Sequence, residues 1–463
     1  MNLEKQNIFT LITNTLKKVG GFRASNMEEF QNLENLWMPF SANRSFKAKP
    51  RLMNEAKGVY YKKIDGTSVL DGTSGLWCCN AGHNHPKIVK AIQSQAEKLD
   101  YAPSFQMGHP LGFKAAEKLL ELAPSSDFQY VFFTNSGSES VDTALKIALG
   151  YQQHRGKTDK MILVGRERAY HGVGFGGISV GGLPLNKQHF SLLKNVDHIV
   201  TTHNLEKNAF SKGMPEWGGD LAEDLNRIIE KHGAEQIAAF ITEPMAGSTG
   251  VLIPPKGYLK KIREICTEHD ILLIFDEVIT GFGRLGTPFA SHYFDVIPDM
   301  IVCAKGLTSG TVPMGAVMVK QEIYDAFQEG DPKLIDFFHG YTYSAHPLAA
   351  AALIATLKVY HEEGLFDQAA KIAPYWEEAL HSLKNVDNVI DIRNLGFVGG
   401  IEMSTQDGKI GKRGYNVFEK AFHEKNVLLR FTGDIIALSP PLIAKEDHVD
   451  QIIDSLREII PFC

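Results

Sequence analysis

Two ionisable residues stand at the ends of apolar segments that are typical of buried strands. Asp276 follows ILLIF (271–275), and Lys305 follows MIVCA (300–304) in the same way. A charge at the end of a buried strand is costly unless it is paired, so each residue needs a partner. The carboxyl ends of strands are also where α/β sheets place ligands. One interpretation is a structural salt bridge between Asp276 and Lys305, and the other is a ligand that pairs with both.

A third motif bears on that choice. The segment TNSGSESVDTALKIAL (134–149) follows the apolar run FQYVFF, and Ser136, Gly137 and Ser138 open an amphipathic helix. Free backbone N–H groups and the helix dipole favour a phosphate there, although Ser136 is also an ordinary N-cap residue. A phosphate, a ring nitrogen that needs a carboxylate and an aldehyde that needs an amine together describe pyridoxal 5′-phosphate. The three motifs therefore predict a site for this cofactor.

Two glycine motifs suggest a competing function. GFGRLG (281–286) matches the dinucleotide fingerprint G-x-G-x-x-G, and GVGFGG (172–177) nearly does. That fingerprint must open a helix directly after a strand, but Pro288 and Pro298 interrupt the segment that follows GFGRLG. A nicotinamide-dependent oxidoreductase is therefore the weaker alternative.

The remaining composition predicts a protein of small-molecule chemistry. Cys78, Cys79, His83 and His85 crowd into eight residues without a usual zinc spacing, so we expect no metal site. The five cysteines are irregularly spaced, as expected of reduced thiols. The N-terminus lacks a signal-like pattern, no apolar run is long enough to span a membrane, and the net charge of −6 offers no basic stripe. We expect a cytoplasmic protein without nucleic-acid or membrane partners.

The pattern of elements predicts an α/β fold. Residues 57–71 indicate a hairpin around an Asp-Gly turn, and helices are expected at about 85–99 and 110–123. Six uniformly apolar runs then alternate with helical segments, which favours a mostly parallel sheet buried on both faces. The runs are FQYVFFTN, KMILVG, IAAFITEP, ILLIFDE, MIVCAK and GAVMVK. Long helices are expected within 257–270, 349–364 and 446–460, and shorter strands beyond about 386 indicate a second, α+β domain.

These residues resemble the class III, fold-type I aminotransferases along nearly the whole chain. The signature segments are FDEVITGFGR, PDMIVCAKGLTSG and PMGAV. Further segments are similar to the β-alanine (ω-amino acid):pyruvate transaminases of that family: LWMPFSANRSFK, GLWCCNAGH, SFQMGHP, NSGSESVDTALKIAL, YHGVGFGG, EPMAGSTGVL, HGYTYSAHP and RFTGDIIALSPPLI. The resemblance implies amino transfer from β-alanine or another ω-amino acid or amine to pyruvate, which gives an aldehyde or ketone and L-alanine.

The resemblance also implies an architecture. A large domain over 75–345 would carry a mostly parallel seven-stranded sheet and bind pyridoxal phosphate, and 346–463 would form a small α+β domain. Residues 1–74 would contribute to the small domain and the active-site entrance. The sites would be shared within a homodimer, with Thr342 reaching the phosphate bound by the other subunit, and two dimers could pair as a tetramer.

Roles at the cofactor follow from the same resemblance. Lys305 would bind the cofactor as a Schiff base and then carry the proton between the substrate carbon and the cofactor. Asp276 would keep the ring nitrogen protonated. The other implied cofactor contacts are Ser136, Gly137 and Ser138 at the phosphate, Val278 and Tyr170 on the two ring faces, His171, and Glu243 on the hydroxyl side. For Glu243, a structural ion pair is the alternative.

The implied substrate contacts are Trp37, Trp77 and Arg430. The tryptophans would line an apolar pocket, and a mobile Arg430 would bind the carboxylate of pyruvate and swing away from donors that lack one beside the amine. Core packing is the alternative for each tryptophan, and a surface position is the alternative for Arg430. Decarboxylases, aminomutases and 2-oxoglutarate-linked aminotransferases of diamines or ω-amino acids share the lysine, aspartate and phosphate loop. A non-catalytic scaffold is disfavoured by the intact Lys305.

Overall fold

A computed structural model describes residues 33–463, which form parts of two compact units. The first unit holds the helix Asn43–Ala48, most of strand β1 (Met53–Lys57), β2 (Tyr60–Lys63) and the start of β3 (Ser68–Asp71). The turn between β2 and β3 contains Gly66 with φ of 86°, and the Lys63 N–H donates to the Thr67 carbonyl at 2.9 Å. Glycine adopts this left-handed conformation without strain, so the predicted Asp-Gly hairpin is confirmed.

The second unit, Lys57–Val59 and Leu70–Cys463, contains a seven-stranded sheet. In chain order its strands are β4 (Phe128–Thr134), β5 (Ile162–Arg166), β6 (Val196–Ile199), β7 (Ile237–Thr242), β8 (Leu272–Asp276), β9 (Met300–Ala304) and β10 (Gly315–Lys320). The spatial order is β4-β10-β9-β8-β7-β5-β6, and only β10 runs antiparallel to its neighbours. Every residue of β5, β7, β8 and β9 is buried, which explains their continuous apolar sequences.

Helices cover both faces of this sheet. The helix Gly137–His154 contributes Val141, Ala144 and Leu145 to the hydrophobic core on one face. The helices Asp224–His232 and Tyr258–Glu268 contribute Leu225 and Ile262 to the core on the other face. The remaining helices before the second sheet are Ser74–Trp77, Pro86–Lys98, Pro110–Leu120, Phe175–Val180, Pro184–Lys187, Leu205–Asn208, Ala290–Phe294, Gln321–Ala326, Pro347–Glu362 and Leu365–His381. The α/β class and the helices predicted near 85–99, 110–123, 257–270 and 349–364 are confirmed.

A second, smaller sheet is antiparallel. Its strands β11 (Val389–Leu395), β12 (Val398–Met403), β14 (Arg430–Thr432) and β15 (Ile435–Leu438) lie in the order β11-β12-β15-β14. The helices Lys412–Glu424 and Glu446–Ile459 belong to the same region, and β13 (Val427–Leu428) pairs in parallel with the end of β3. The predicted change to shorter strands is confirmed, while the boundaries at 74/75 and 345/346 stay predictions. Among the described residues, no helix is both long and apolar enough to cross a membrane.

Candidate active site

The predicted cofactor residues gather at one edge of the seven-stranded sheet. β4, β5, β7, β8 and β9 all run in the same direction, so their carboxyl ends meet at the edge where α/β sheets bind ligands. Five segments follow or end these strands there: Ser136–Ser138 after β4, Tyr170 and His171 after β5, Glu243 after β7, Asp276 in β8 and Lys305 after β9.

The partner of Asp276 is a histidine. One carboxylate oxygen, Oδ2, lies 2.8 Å from Nδ1 of His171, and Oδ1 accepts the Val278 N–H at 3.2 Å. Both side chains are buried. Among the described residues, no ion pair joins Asp276 to Lys305, so the structural salt bridge is not formed. The other ring nitrogen of His171, Nε2, is buried without a hydrogen-bond partner in the described chain.

Glu243 is buried beside this pair. Its Oε1 accepts the backbone N–H of Tyr170 at 2.9 Å, so the carboxyl group fixes the start of the loop that carries Tyr170 and His171. Burial raises the pKa of Glu243 to about 7; the charge of Asp276 adds to this increase and that of His171 opposes it. The protonated form of the Glu243 carboxyl group is therefore favoured more than in an ordinary glutamate.

Lys305 has an unusual backbone conformation. Its φ is 50°, in the left-handed region that residues with side chains rarely adopt. Burial lowers the pKa of its amine; the charge of Arg430 contributes to the lowering, while Cys78 and Asp276 oppose it. A lowered pKa increases the fraction of neutral amine, which is the form that attacks a carbonyl carbon.

The helix Gly137–His154 begins with two side-chain hydrogen bonds to backbone N–H groups. Oγ of Ser136 accepts the Glu139 N–H at 3.2 Å, and Oε2 of Glu139 accepts the Asn135 N–H at 2.7 Å. Ser136 is therefore the N-cap residue of this helix, which was the alternative to its role as a phosphate contact. The N–H groups of Gly137 and Ser138 have no acceptor within the helix and remain available to an anion.

Glycine at position 137 keeps this helix start close to the strand ends. A Cβ added to Gly137 would lie 3.1 Å from both γ-methyl groups of Val278 and 3.6 Å from Cβ of Ala304. Oγ of Ser138 accepts the Val173 N–H at 3.1 Å, which joins the helix start to the loop after His171. The phosphate loop, Val278 and the residue before Lys305 are thus in one small region.

Arg430 lies at the start of β14, where it pairs with Ala437. Burial lowers the pKa of its guanidinium, and Tyr170 opposes the effect. The arginine charge in turn lowers the pKa values of Tyr170 and Lys305, although burial raises that of Tyr170 overall. Nε of Arg430 is buried without a hydrogen-bond partner among the described residues. The guanidinium is therefore partly enclosed by protein, and the substrate role of Arg430 stays a prediction.

Three further predicted residues differ in their exposure. Trp77 is only 2% exposed and packs with Met245 and Ile279, which fits the core-packing alternative. Trp37 belongs to the first unit and its side chain is 88% exposed. Thr342 is exposed in the loop before the helix Pro347–Glu362. The pocket roles of the tryptophans and the phosphate role of Thr342 stay predictions.

The glycine motif at 281–286 is a packed turn. The next helix begins at Ala290, and a Cβ added to Gly283, which has φ of 96°, would lie 2.4 Å from the Phe366 ring. The geometry of a dinucleotide fingerprint is therefore absent from these described residues. The oxidoreductase interpretation of this motif is wrong.

Arg284 within that turn is a residue that sequence reasoning missed. Its guanidinium is fully buried and donates to Oγ of Ser74 and Oδ1 of Asn80, both at 2.7 Å. It also donates to the carbonyls of Ser439 and Pro440. Arg284 thus fixes both ends of the segment that contains Trp77 and Cys78. Its presence in the segment FDEVITGFGR was the only signal in the sequence. Its role could not be predicted, because its four hydrogen-bond acceptors are distant in sequence.

Clusters of metal-ligand residue types elsewhere are already paired. His83 lies 2.8 Å from Asp71, and His85 lies 3.1 Å from Glu363, so these histidines face carboxylates instead of converging with the two cysteines. Further along the chain, ligand atoms of His203, Asp391 and Glu402 lie within 4.8 Å of one another. The Arg393 guanidinium pairs with both of these carboxylates, so a cation is already supplied by the protein.

The residues at the sheet edge fit pyridoxal phosphate. The helix start offers two free N–H groups in a space that a Cβ at position 137 would fill. Asp276 offers a hydrogen-bonded carboxylate. On the neighbouring strand, Lys305 offers an amine whose pKa is lowered. This donor set matches the phosphate, ring nitrogen and aldehyde of that cofactor.

Comparisons with known proteins agree with this site. The family model described as aminotransferase class-III matches residues 41–460. The chain is 57% identical over 430 residues to an omega-aminotransferase of Caulobacter vibrioides, covering 93% of this chain and 98% of the relative. It is 46% identical over 433 residues to a beta-alanine–pyruvate aminotransferase of Pseudomonas aeruginosa, covering 93% and 96%.

A solved structure shares the fold and the cofactor. It is an amine transaminase from an uncultivated Pseudomonas species in the PLP-bound form, with a TM-score of 0.86 and 33% identity over 93% of this chain and 98% of that one. Together with the family match, this similarity identifies pyridoxal phosphate as the cofactor. The chain belongs to the class III aminotransferases.

Proposed function

We propose that this aminotransferase transfers the amino group of β-alanine, or of another ω-amino acid or amine, to pyruvate. The products are an aldehyde or ketone and L-alanine. Support comes from the names of the relatives above, which specify ω-amino donors and pyruvate. The observation that carries the proposal is the half-buried Arg430, whose Nε is enclosed without a partner among the described residues and whose charge acts on Lys305. A guanidinium in this position suits the carboxylate of an α-keto acid.

Each residue at the sheet edge then has a chemical task. Bound pyridoxal phosphate supplies an electron sink for the substrate carbanion. Lys305 holds the cofactor and afterwards moves the proton at the substrate carbon, which its lowered pKa favours. Asp276, fixed by His171, keeps a proton on the ring nitrogen. The N–H groups of Gly137 and Ser138 bind the phosphate.

The remaining contacts with the cofactor and the substrate are proposed from the family resemblance and from where these residues lie in the chain. Val278, whose methyl groups adjoin Gly137, would hold one face of the cofactor ring, and Tyr170 would hold the other. The resemblance alone assigns Trp37 and Trp77 to the lining of the substrate pocket. Arg430 swings between a position that binds a carboxylate and one that admits donors without a carboxylate beside the amine.

We further propose a homodimer with shared sites, in which Thr342 of each subunit contacts the phosphate bound by its partner. Support comes from exposed apolar side chains in the same region. Phe338 is 88% exposed, Phe105 and Phe113 are also exposed, and the Phe105 ring lies against Gly340. Groups of large exposed apolar side chains are typical of protein interfaces. A tetramer would require that two such dimers pair.

The proposed location is the cytoplasm. All five cysteines are free, and three of them, Cys266, Cys303 and Cys463, are buried as thiols. Free thiols are typical of proteins in reducing compartments.

The direct test is product formation with a panel of donors and two acceptors. We expect L-alanine to form from pyruvate with β-alanine, and with other ω-amino acids or amines at different rates. Parallel reactions with 2-oxoglutarate should give much less glutamate. The main competing function is a 2-oxoglutarate-linked aminotransferase of diamines or ω-amino acids. Faster turnover with 2-oxoglutarate for every donor would establish that function and overturn the pyruvate assignment.

A further inference from the structure

The turn that begins at Lys305 is held in a rare conformation at both ends. Lys305 and Ser309 have φ values of 50° and 49°, and the Gly310 N–H closes the turn on the Lys305 carbonyl at 3.2 Å. Left-handed conformations of residues with side chains persist only where the surroundings impose them. The surroundings of residues 306–309 should therefore contain the groups that fix the lysine.

Gly306, the residue after Lys305, is in tight contact with its neighbours. A Cβ added there would lie 2.7 Å from Nδ2 of Asn80 and 3.0 Å from Cβ of Phe282. Its carbonyl accepts the Ser309 N–H at 3.1 Å from within the turn. The same carbonyl accepts a second hydrogen bond, at 2.5 Å, from the hydroxyl of Tyr360.

Tyr360 comes from a different part of the fold. It lies near the end of the helix Pro347–Glu362, and it is 2% exposed. Its ring packs near Phe366 and Phe282, with ring centres 5.4 and 6.3 Å away. Burial raises the pKa of the phenol, so the hydroxyl keeps its proton and remains a donor at every working pH.

We propose that Tyr360 is a positioning residue for Lys305. Its hydroxyl anchors the Gly306 carbonyl and thereby holds the peptide that sets the direction of the lysine side chain. The inference rests on the proposed role of Lys305 as the amine that holds the cofactor. A phenylalanine would fill the same space, so packing alone does not require the hydroxyl. A well-positioned amine acts at a high effective concentration, and loss of the anchor lowers that concentration.

The test uses the holoenzyme of Tyr360→Phe and a competing amine. Hydroxylamine attacks the cofactor carbon, displaces the Lys305 amine and forms the cofactor oxime, which changes the visible absorbance. We expect Tyr360→Phe to lower the hydroxylamine concentration that displaces half of the lysine by about tenfold, the effect of one buried hydrogen bond. The value of kcat should fall similarly, while KM for pyruvate changes by less than about twofold, since binding of the keto acid does not use this anchor.

Two control variants separate positioning from general stability. Tyr258→Phe removes a hydroxyl from an equally buried tyrosine in the core on one face of the sheet, and it should leave the hydroxylamine midpoint unchanged. Phe366→Leu loosens the packing around the Tyr360 ring but keeps the hydroxyl, so it should lower the melting temperature without moving the midpoint. It also supplies the comparison if Tyr360→Phe does not accumulate as folded protein. A midpoint that moves with Phe366→Leu as well would show that packing and not the hydroxyl matters.

The outcomes distinguish this inference from the proposed function. A Tyr360→Phe holoenzyme with the wild-type midpoint and kcat would overturn the positioning role, whatever its melting temperature. Borohydride reduction of the wild-type holoenzyme and peptide mapping provide the independent test of Lys305. If the reduced cofactor were found on another lysine, the proposed role of Lys305 would fail instead.

Discussion

Replacing Glu243 with glutamine should change how stability depends on pH. The side chain is buried, and its Oε1 accepts the Tyr170 N–H. Glutamine has nearly the same shape and keeps an acceptor for that N–H, so the variant mainly removes the ability to lose a proton. Because Glu243 lies beside Asp276 and His171, the same experiment probes the electrostatics of the proposed cofactor site.

The magnitude follows from the shift in pKa. The folded protein raises the pKa of Glu243 from 4.5 to about 7. Each unit is worth about 1.4 kcal/mol, so the group changes the free energy of unfolding by at most roughly 3 kcal/mol. The folded state binds the proton more tightly than the unfolded chain. The contribution is therefore fully present below pH 4.5, is lost as the pH rises through about 7, and stays constant above that.

The assay is denaturant unfolding of wild type and Glu243→Gln between about pH 5 and pH 8, followed by tryptophan fluorescence. Wild type should lose stability relative to the variant as the pH rises, by up to roughly 3 kcal/mol across this range. Glu230→Gln, on an exposed position of the helix Asp224–His232, is the matched control and should follow the wild type. A stability difference between wild type and Glu243→Gln that is the same at every pH would refute the reasoning.

The other predictions concern catalysis. Lys305→Ala should abolish transamination while the protein still binds the cofactor noncovalently; ordinary turnover in a standard alanine assay would contradict the role of Lys305. Asp276→Asn should lower kcat about a hundredfold, the cost of losing a preorganised charge, with cofactor affinity nearly retained in equilibrium titrations because the phosphate contacts remain. Arg430→Ala should slow the pyruvate half-reaction by about tenfold or more, through loss of a charge-assisted pair, and the half-reaction of a carboxylate-free amine much less. Equal slowing of both halves in single-turnover absorbance measurements would make Arg430 a structural residue.

Much of the central sheet can be predicted from sequence because its strands are buried on both faces. Strands β7, β8 and β9 are apolar without interruption, and no helical periodicity competes with that pattern. Strand β6 (Val196–Ile199) was not among the predicted strands. It lies at the edge of the sheet, and three of its four residues, VDHI, are only partly buried, so its sequence lacks a continuous apolar run.

The positions of Asp276 and Lys305 were predictable because chain direction alone places strand ends together. The orientation of Arg430 was not, since it depends on a three-residue strand in another sheet. Contacts between distant loops were also hidden. His171 and Asp276 are separated by 105 positions, and Tyr360 and Gly306 by 54. Neither pair leaves a local pattern, because each depends on how two segments pack after the sheet has formed.

The contact between His171 and Asp276 also bears on how an aspartate and a lysine of lowered pKa coexist on neighbouring strands. If Lys305 were the counter-ion of Asp276, as the strand-end pattern alone allows, the pairing would favour the protonated amine and raise its pKa. The structure instead gives the carboxylate a hydrogen bond from His171 and a backbone N–H, while burial and Arg430 lower the pKa of the lysine. The amine is thereby left free to react with a carbonyl group, and the aspartate stays available to a protonated ring nitrogen. A histidine behind the aspartate thus lets the two residues serve different atoms of one cofactor.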